Sequence, residues 1–261
     1  MIVTTAGRPD DETVTKSLLF ASKLGVEFVP RRKQSVAKLL EKMEDSCCMV
    51  VGKERLELYL KGEEQPFFFH PNSAMFRIKR LLKGEKDPLV SAAELIPGMS
   101  VLDCTLGLGS DSIVASFVTG KTGSVIGIES NRFLAFLVYV GLKNWKSGLP
   151  EIDAAMRAVK VVYNNSLSVL KRMDTGSIDC VYFDPMFEET ILESDGIRGL
   201  ANFADYSSLT SEMVEEAYRV ARKRVILKDH FRSARFEEFG FKATIRKSAK
   251  FHYGIMEKED V

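Results

Sequence analysis

The sequence predicts an α/β protein in which helices cover both faces of a mainly parallel sheet, with a small α/β module in front of it. From residue 98 onward, apolar strand-like runs alternate with helical patterns, which is typical of a parallel sheet. The Pro97-Gly98 pair marks a boundary before this region. With 261 residues, of which 45% are hydrophobic and 28% charged, the chain is long enough for one medium domain and a smaller appendage.

Residues 1–69 form the predicted small module. Its strand-like runs are 2–5, 26–29, 49–51, 56–60 and 67–69. Asp10 and Asp11 precede one helical pattern, which Gly25 ends, and Ser35 opens a second. Short strands interleaved with two helices predict a separate α/β unit.

Residues 70–97 are predicted to be linker helices. A helix that begins at Asn72 has one apolar and one basic face. The inner face is expected to carry Met75, Ile78, Leu81 and Leu82, and the outer face Arg77, Lys79, Arg80 and Lys83.

Residues 98–261 form the predicted main domain. Its strands are expected near 100–104, 124–129, 159–163, 178–183, 223–228, 241–247 and 251–256. Its helices are expected near 110–119, 131–146, 166–172 and 207–221. Ligands of such a sheet bind at the carboxyl ends of the strands, so the residues that follow each strand are the first candidates for a functional site.

The segment from Asp103 to Asp111 is the strongest candidate for a ligand-binding loop. An apolar strand runs into Asp103, a turn with Gly107 and Gly109 follows, and a helix then begins. The spacing matches neither the phosphate loop of NTPases nor the G-x-G-x-x-G dinucleotide pattern. Because Asp103 would repel a pyrophosphate, a cationic ligand without phosphates, S-adenosylmethionine (SAM), fits better. The alternative is a tight turn without a ligand.

Further polar residues follow the next two strands. Glu129 ends the second strand, where its carboxylate is suited to bind both ribose hydroxyls. Asn164 to Ser166 follow the third strand, and either read the adenine edge or cap the next helix. The residues predicted to bind the cofactor are Asp103, Thr105, Gly107, Gly109, Asp111, Glu129, Asn165 and Ser166.

The fourth strand delivers Asp184-Pro185-Met186-Phe187 at its carboxyl end. An exocyclic amine on a base is a poor nucleophile, because its lone pair is delocalised into the ring. The Asp184 carboxylate and the Pro185 carbonyl are placed to accept its two N–H groups and free the lone pair, while Phe187 stacks on the base. These three residues are the predicted catalytic residues. The alternative is an ordinary Asp-Pro turn.

Two further segments are expected to border the substrate. Lys228-Asp229-His230 ends the fifth strand and is expected to line the substrate cleft. The long acidic loop 188–206, which contains Gly196 and Gly199, is expected to act as a lid.

With these motifs laid out, the chain resembles the class I SAM-dependent methyltransferases, which have a Rossmann-like sheet. More narrowly, it resembles the RsmJ family of small-subunit ribosomal RNA guanine-N2 methyltransferases. The resemblance spans about residues 67–256 and rests on four stretches: VLDCTLGLGSDS at 101–112, Glu129 followed by Asn131, NSLSVL at 165–170 and DPMF at 184–187.

The resemblance implies a specific set of roles. Residues 98–261 would be the methyltransferase domain, and small-subunit ribosomal RNA would be the partner. Asp103, Gly107, Gly109 and Glu129 would bind SAM, and Asp184 would hold the target amine.

Other functions stay open at this point. Glu188-Glu189 stands where the RsmJ pattern has a proline and basic residues, and the net charge is only +1. A SAM-dependent methyltransferase that acts on DNA, protein or a small amine is therefore one alternative. A non-catalytic SAM-binding or RNA-binding module is another, although such a module has no need of an amine-activating motif.

Composition also excludes several classes of protein. The histidines are scattered and the four cysteines, Cys47, Cys48, Cys104 and Cys180, lack metal-binding spacing, so we expect buried thiols in a reducing compartment and no metal. The N-terminus lacks the pattern of a secretory signal. The longest apolar run, 133–142, is much shorter than the roughly 20 residues that cross a bilayer. We therefore expect a cytoplasmic protein without membrane contact.

Overall fold

The computed structural model describes residues 1–63, 65–185, 209–244 and 249–259. The described residues form two compact units, of which the first is Met1–His70 and the second begins at Pro71. The predicted division at 69/70 and 97/98 stays a prediction. Within the described ranges, no helix combines the length and the apolar character that a membrane span requires.

The first unit is a five-stranded mixed sheet with two helices. Its elements are β1 (Ile2–Thr5), α1 (Asp11–Leu24), β2 (Glu27–Phe28), α2 (Val36–Lys42), β3 (Cys47–Val51), β4 (Leu56–Leu60) and β5 (Phe67–Phe68). The strand order is β2-β1-β3-β4-β5, with β1 parallel to β2 and β3, and β4 antiparallel to β3 and β5. Both helices begin as the sequence predicts, because the side chains of Asp10 and Ser35 accept backbone N–H groups of the first turns.

The second unit is a seven-stranded sheet with helices around it. Its first elements are α3 (Asn72–Leu82), α4 (Pro88–Ala92), β6 (Ser100–Asp103), α5 (Ser110–Thr119), β7 (Ser124–Glu129), α6 (Arg132–Asn144), α7 (Pro150–Ala158) and β8 (Lys160–Tyr163). They are followed by α8 (Ser166–Leu170), β9 (Ile178–Phe183), α9 (Ser211–Val220), β10 (Ala221–His230), α10 (Arg235–Glu238), β11 (Lys242–Thr244) and β12 (Phe251–Glu257).

The strand order of this sheet is β11-β12-β10-β9-β6-β7-β8. The strands from β10 to β8 are parallel, and β12 is antiparallel to both of its neighbours. The predicted α/β class is confirmed. From β6 the chain first adds strands on one side (β7, β8) and then on the other (β9, β10), so the strand order reverses between β6 and β9. Ligands of such sheets bind at the carboxyl ends of the strands beside this reversal.

The strand register brings the polar residues of interest to one edge. Asp103, the last residue of β6, pairs with Tyr182 of β9 and Gly127 of β7. Leu227 of β10 pairs with Phe183, so that Lys228 and Asp184 follow side by side. β9 is buried along its whole length and packs within the main core of the unit. A rigid central strand therefore carries Asp184.

Helix α7 is absent from the predicted elements. It begins with Pro150 and buries Ile152, Ala155 and Met156, which follow i, i+3, i+4 spacing, and it packs against α5. Proline at the first helical position and acidic residues in the first turn are ordinary start signals. The helix was missed because three short apolar positions give a weak pattern over nine residues.

The orientation predicted for two residues of α3 is wrong. Arg77 points inward and its side chain is only 17% exposed, because it pairs with Asp87 and Asp111. Leu82, expected inside, is 55% exposed. A buried guanidinium is tolerated where carboxylates satisfy it, and the partner Asp111 lies far along the chain, so the helical pattern alone favoured the opposite orientation.

Candidate active site

The loop between β6 and α5 lies close against β7. The backbone N–H of Leu106 donates to the carbonyl of Ile128 at 3.0 Å. A Cβ on Gly127 would approach Leu106 Cδ1 to 2.3 Å, so any larger residue there would force the Leu106 side chain of this loop to shift. Gly109 has φ +74° and is the N-cap of α5, so no side chain of the capping residue bonds the N–H groups of the first helical turn.

Asp103 holds this loop through hydrogen bonds to both of its carboxylate oxygens. Its Oδ1 accepts the backbone N–H of Thr105 at 3.0 Å, and its Oδ2 accepts the hydroxyl of Ser112 at 2.7 Å. The residue is 2% exposed, and burial raises the pKa of its carboxyl to about 7. Both oxygens of the predicted cofactor residue are thus engaged in holding the loop.

Glu129 stands at the end of β7 and faces the same loop. Its Oε1 accepts the backbone N–H of Asn131 at 2.9 Å, and its Oε2 accepts that of Gly107 at 3.2 Å. Two backbone donors therefore fix the carboxylate beside the glycine turn. A carboxylate accepts hydrogen bonds and does not donate them, so the hydroxyl groups of a ligand are the type of partner that suits it.

Asn165 and Ser166 occupy the start of α8. The Oδ1 of Asn165 accepts the backbone N–H of Ser168 at 3.1 Å, which is a helix cap. The Ser166 hydroxyl donates to the carbonyl of Cys104 at 2.6 Å and is buried. Both side chains therefore have structural roles at the third strand end, whichever ligand lies beside them.

A cation bridges two carboxylates at the carboxyl ends of β9 and β10. Lys228 Nζ lies 2.5 Å from Asp184 Oδ2 and 3.3 Å from Asp111 Oδ2. Burial lowers the pKa of Lys228, but the two carboxylates outweigh burial and hold it above its usual value. Lys228 is therefore protonated. Because successive side chains of a strand alternate, its neighbour Asp229 points elsewhere and binds Ser233.

Asp111 is the deeper of the two carboxylates. Arg77 Nη1 lies 2.5 Å from its Oδ1, and the Tyr182 hydroxyl donates to its Oδ2 at 3.0 Å. Burial raises the pKa of Asp111, but Lys228 and Arg77 outweigh burial and hold it below the usual value of an aspartate. This residue, predicted to bind the cofactor, lies under the site with three protein partners.

Asp184 is the more accessible carboxylate, with a side chain that is 22% exposed. Its backbone N–H donates to Thr105 Oγ1 at 2.6 Å, which links the end of β9 to the β6 loop. Burial raises the pKa of Asp184 to about 6; Lys228 lowers it and Asp111 raises it. Pro185 follows directly, whereas Phe187 and the predicted lid 188–206 lie outside the described residues.

The sequence did not predict that Arg77, Tyr182 and Tyr253 belong to this cluster. It placed Lys228 at the substrate cleft but did not identify it as the partner of Asp184. Arg77 and Lys228 supply the positive charge, Tyr182 hydrogen-bonds Asp111, and Tyr253 pairs with Lys228 across β10 and β12. In the sequence, Lys228 directly follows the apolar run 225–227, which is the one visible signal. Within the described residues, no group of three or more histidine, cysteine, aspartate or glutamate side chains is arranged to hold a metal ion.

Residues 33–252 match the family described as "Putative SAM-dependent methyltransferase". The chain belongs to this family. It is a class I enzyme, and its cofactor is S-adenosylmethionine. The crystal structure of the SAM-dependent methyltransferase NGO1261 from Neisseria gonorrhoeae has the same fold, with a TM-score of 0.64 at 17% identity, covering 98% of this methyltransferase and 96% of that chain.

The sequence relatives are of two kinds. "Uncharacterized protein YpiP" of Bacillus subtilis (strain 168) is 48% identical over 256 residues, which are 98% of this chain and 99% of that protein. "Ribosomal RNA small subunit methyltransferase J" of Legionella pneumophila subsp. pneumophila is 24% identical over 227 residues, covering 85% of this chain and 84% of that protein. Its counterpart in Alteromonas mediterranea is 28% identical over 150 residues, 56% of each chain.

The residues around the β6 loop suit SAM. Between Asp103 and Asp111 the sequence has no lysine or arginine to bind a phosphate. Instead, the carboxylate of Glu129 is fixed at the loop, and Gly109, as the N-cap of α5, has no side chain to cap the first turn of the helix. Carboxylates match the amino group, the sulfonium and the ribose hydroxyls of this cofactor, so the donor set fits it.

Proposed function

We propose that this methyltransferase acts on the exocyclic amine of a guanine in small-subunit ribosomal RNA. The observation that carries the proposal is the Asp184 carboxylate, held by Lys228 at the carboxyl end of β9 and followed by Pro185. The relatives named as small-subunit ribosomal RNA methyltransferases support the RNA part of the proposal.

Asp184 and Pro185 would activate the amine. Lys228 engages Asp184 Oδ2, whereas Oδ1 makes no hydrogen bond to another described residue. Oδ1 would accept one N–H of the substrate amine, and the Pro185 carbonyl would accept the other. Two acceptors on one side draw the nitrogen towards tetrahedral geometry, and its lone pair then points at the methyl donor. Phe187 is proposed to stack on the base.

The cofactor supplies an electrophilic methyl group on a sulfonium when it is bound. We propose that Glu129 binds the ribose hydroxyls and that Gly107 and Gly109 allow close approach of the backbone. Asp103, Thr105 and Asp111 would act by holding the loop and the end of β9 in place. Asn165 and Ser166 would border the adenine at the start of α8.

Proton release would complete the reaction. The lone pair of the amine would form the new N–CH₃ bond while the S–CH₃ bond of the sulfonium breaks and S-adenosylhomocysteine leaves, and one N–H proton would then leave the nitrogen. Asp184 is the adjacent acceptor, and its raised pKa of about 6 suits a group that takes up a proton transiently near neutral pH.

The test uses methyl-labelled SAM with small ribosomal subunits, naked small-subunit RNA, DNA and protein extract, all from a strain that lacks this gene. We expect label in N2-methylguanosine after digestion of the RNA. Label in DNA, protein or a small amine would refute the RNA substrate and retain the enzyme class. Absence of label in all fractions, despite measurable SAM binding, would refute the proposed reaction.

A further inference from the structure

The exposed side of α3 carries an aromatic residue among cations. Phe76, Lys79, Arg80 and Lys83 follow i, i+3, i+4 and i+7 spacing and therefore share one face of this helix. All four are exposed, and Phe76 is 64% exposed. We call these four residues the α3 basic face.

The charge of this helix differs from that of the whole chain. Residues 72–86 contain five lysines and arginines and one acidic residue, Glu85, whereas the net charge of the protein is +1. Glu85 pairs with Arg80 at 2.7 Å. Lys79 and Lys83 form no ion pair with any described residue, so their charges remain available to a partner.

Phe76 adds a flat apolar surface to these cations. The guanidinium carbon of Arg80 lies 5.8 Å from the centre of the Phe76 ring, so the cation flanks the ring. Cations beside an exposed ring are the arrangement by which proteins bind single-stranded nucleic acid, with phosphates on the cations and a base on the ring. A duplex would bury its bases away from such a ring.

The opposite side of α3 leads to the candidate active site. Ala74 and Ile78 are fully buried, and Arg77, adjacent to Phe76, binds Asp111. Asp111 in turn contacts Lys228, which binds Asp184. Because a helix is about 10 Å across and three ion-pair contacts connect Arg77 to Asp184, we infer that RNA extending from the proposed target base can reach the α3 basic face.

We propose that the α3 basic face binds the single-stranded RNA that flanks the target nucleotide. Lys79 and Lys83 contact phosphates, and Phe76 stacks on a neighbouring base. This inference rests on the proposed RNA substrate and adds the surface that holds it.

The experiment compares two double variants with the unmodified enzyme. Lys79→Gln with Lys83→Gln removes two charges from the α3 basic face. Lys121→Gln with Lys160→Gln removes two exposed charges beside the amino ends of β7 and β8, at the opposite edge of the sheet, and is the matched control. The RNA is naked small-subunit ribosomal RNA from a strain that lacks this gene.

We expect the first double variant to raise the KM for RNA about tenfold at an unchanged kcat. The plot of log affinity against log salt should lose about 1.4 of its slope, because each phosphate contact on a single strand contributes about 0.7. The control should leave the KM and the slope unchanged. Affinity for SAM, measured by calorimetry, should stay the same in both and shows that the fold is intact.

A second pair of variants tests the ring. Phe76→Leu keeps an apolar side chain but removes the stacking surface, and should raise the KM for RNA about fivefold or more. Phe76→Trp retains that surface and should behave as the unmodified enzyme.

The outcomes separate this inference from the proposed function. If the unmodified enzyme does not methylate RNA, the proposed function fails. If it does, but the lysine variant and Phe76→Leu match the control in KM and salt slope, the inference is overturned and the function stands. A lower kcat at unchanged KM would also overturn the inference, because the substitutions would then change the active site through the packing of α3 and not the binding of RNA.

Discussion

Removing the charge of Lys228 should change the pH dependence of methyl transfer. Lys228→Met deletes the cation that lies 2.5 Å from Asp184 Oδ2 and 3.3 Å from Asp111 Oδ2, while it keeps most of the side-chain length. The two carboxylates would then face each other without the ion between them. The protonated form of Asp184 becomes more favourable, so its pKa is expected to rise.

The size of the effect follows from the geometry. An opposite charge at such distances lowers a carboxyl pKa by roughly 1–3. Starting from about 6, the pKa of Asp184 would move to between about 7 and about 9. The ionised fraction at pH 7 would fall from roughly nine-tenths to between roughly a half and a hundredth. The Lys228 and Asp184 side chains are 21% and 22% exposed, so solvent partly screens their interaction. We therefore expect the pKa of Asp184 to rise by roughly 1–2 and not by the full 3.

The assay is kcat for RNA methylation at saturating SAM and RNA, from about pH 5.5 to about pH 9.5. Asp184 accepts the amine only when ionised, so activity is present above its pKa and is lost below it. In Lys228→Met the acid limb should move to higher pH, with a roughly 2- to 10-fold loss at pH 7 that disappears in alkaline buffer. Lys228→Arg, which keeps the charge, should leave the limb in place.

One result would refute this reasoning. If Lys228→Met lowers kcat by the same factor at every pH, with the acid limb unmoved, the cation does not control the ionisation of Asp184. Thermal unfolding and SAM affinity of the variant serve as controls for a change in the fold. We expect the fold to be retained, because Asp111 still accepts hydrogen bonds from Arg77 and Tyr182.

Three further predictions concern the catalytic carboxylate, the loop and the buried arginine. Asp184→Asn should abolish transfer to the amine, measured with labelled SAM, and leave SAM affinity by calorimetry unchanged; retained transfer would remove Asp184 from the mechanism. Gly127→Ala places a Cβ 2.3 Å from Leu106 Cδ1 and should cost about 1–3 kcal/mol in urea unfolding and weaken SAM binding. Arg77→Met leaves Asp111 with fewer partners and should cost about 3–5 kcal/mol at neutral pH. Since the pKa of Asp111 is depressed in the folded protein, that cost should shrink as the pH falls below the ordinary value of 3.8; a cost independent of pH would contradict the pairing.

The parts of the fold that depend on local patterns could be predicted from the sequence. Strand β6 and its glycine turn, the acidic end of β7 and the delivery of Asp184 by β9 each lie within a few consecutive residues. The confirmed parallel sheet then brings their ends to one edge. Asn165 shows the limit of this approach, because the same residue suits a helix cap and a ligand contact, and the observed cap does not exclude the ligand contact.

The ion pairs of the site could not be predicted in this way. Arg77 and Asp111 are separated by 34 positions, and Lys228 and Asp184 by 44. Their contacts depend on how α3 packs on α5 and on the register of β10 against β9. A basic residue on an amphipathic helix is normally solvated, so the pattern gave Arg77 the wrong orientation. What the sequence does show is the position of Lys228 directly after the apolar run of the fifth strand.

We propose that the distribution of charge along the strand ends gives the two substrates separate binding places. The β6–β7 side presents the carboxylate of Glu129, and its glycine loop contains no cation. On the β10 and α3 side, Lys228 and Arg77 are each held between two carboxylates, and the cations of the α3 basic face without an ion pair to a described residue are Lys79 and Lys83. A cationic cofactor is favoured on the first side and a polyanion on the second. We propose that Asp184 lies between them, where the neighbouring Lys228 favours its ionised form, so that the amine meets an acceptor between the two ligands.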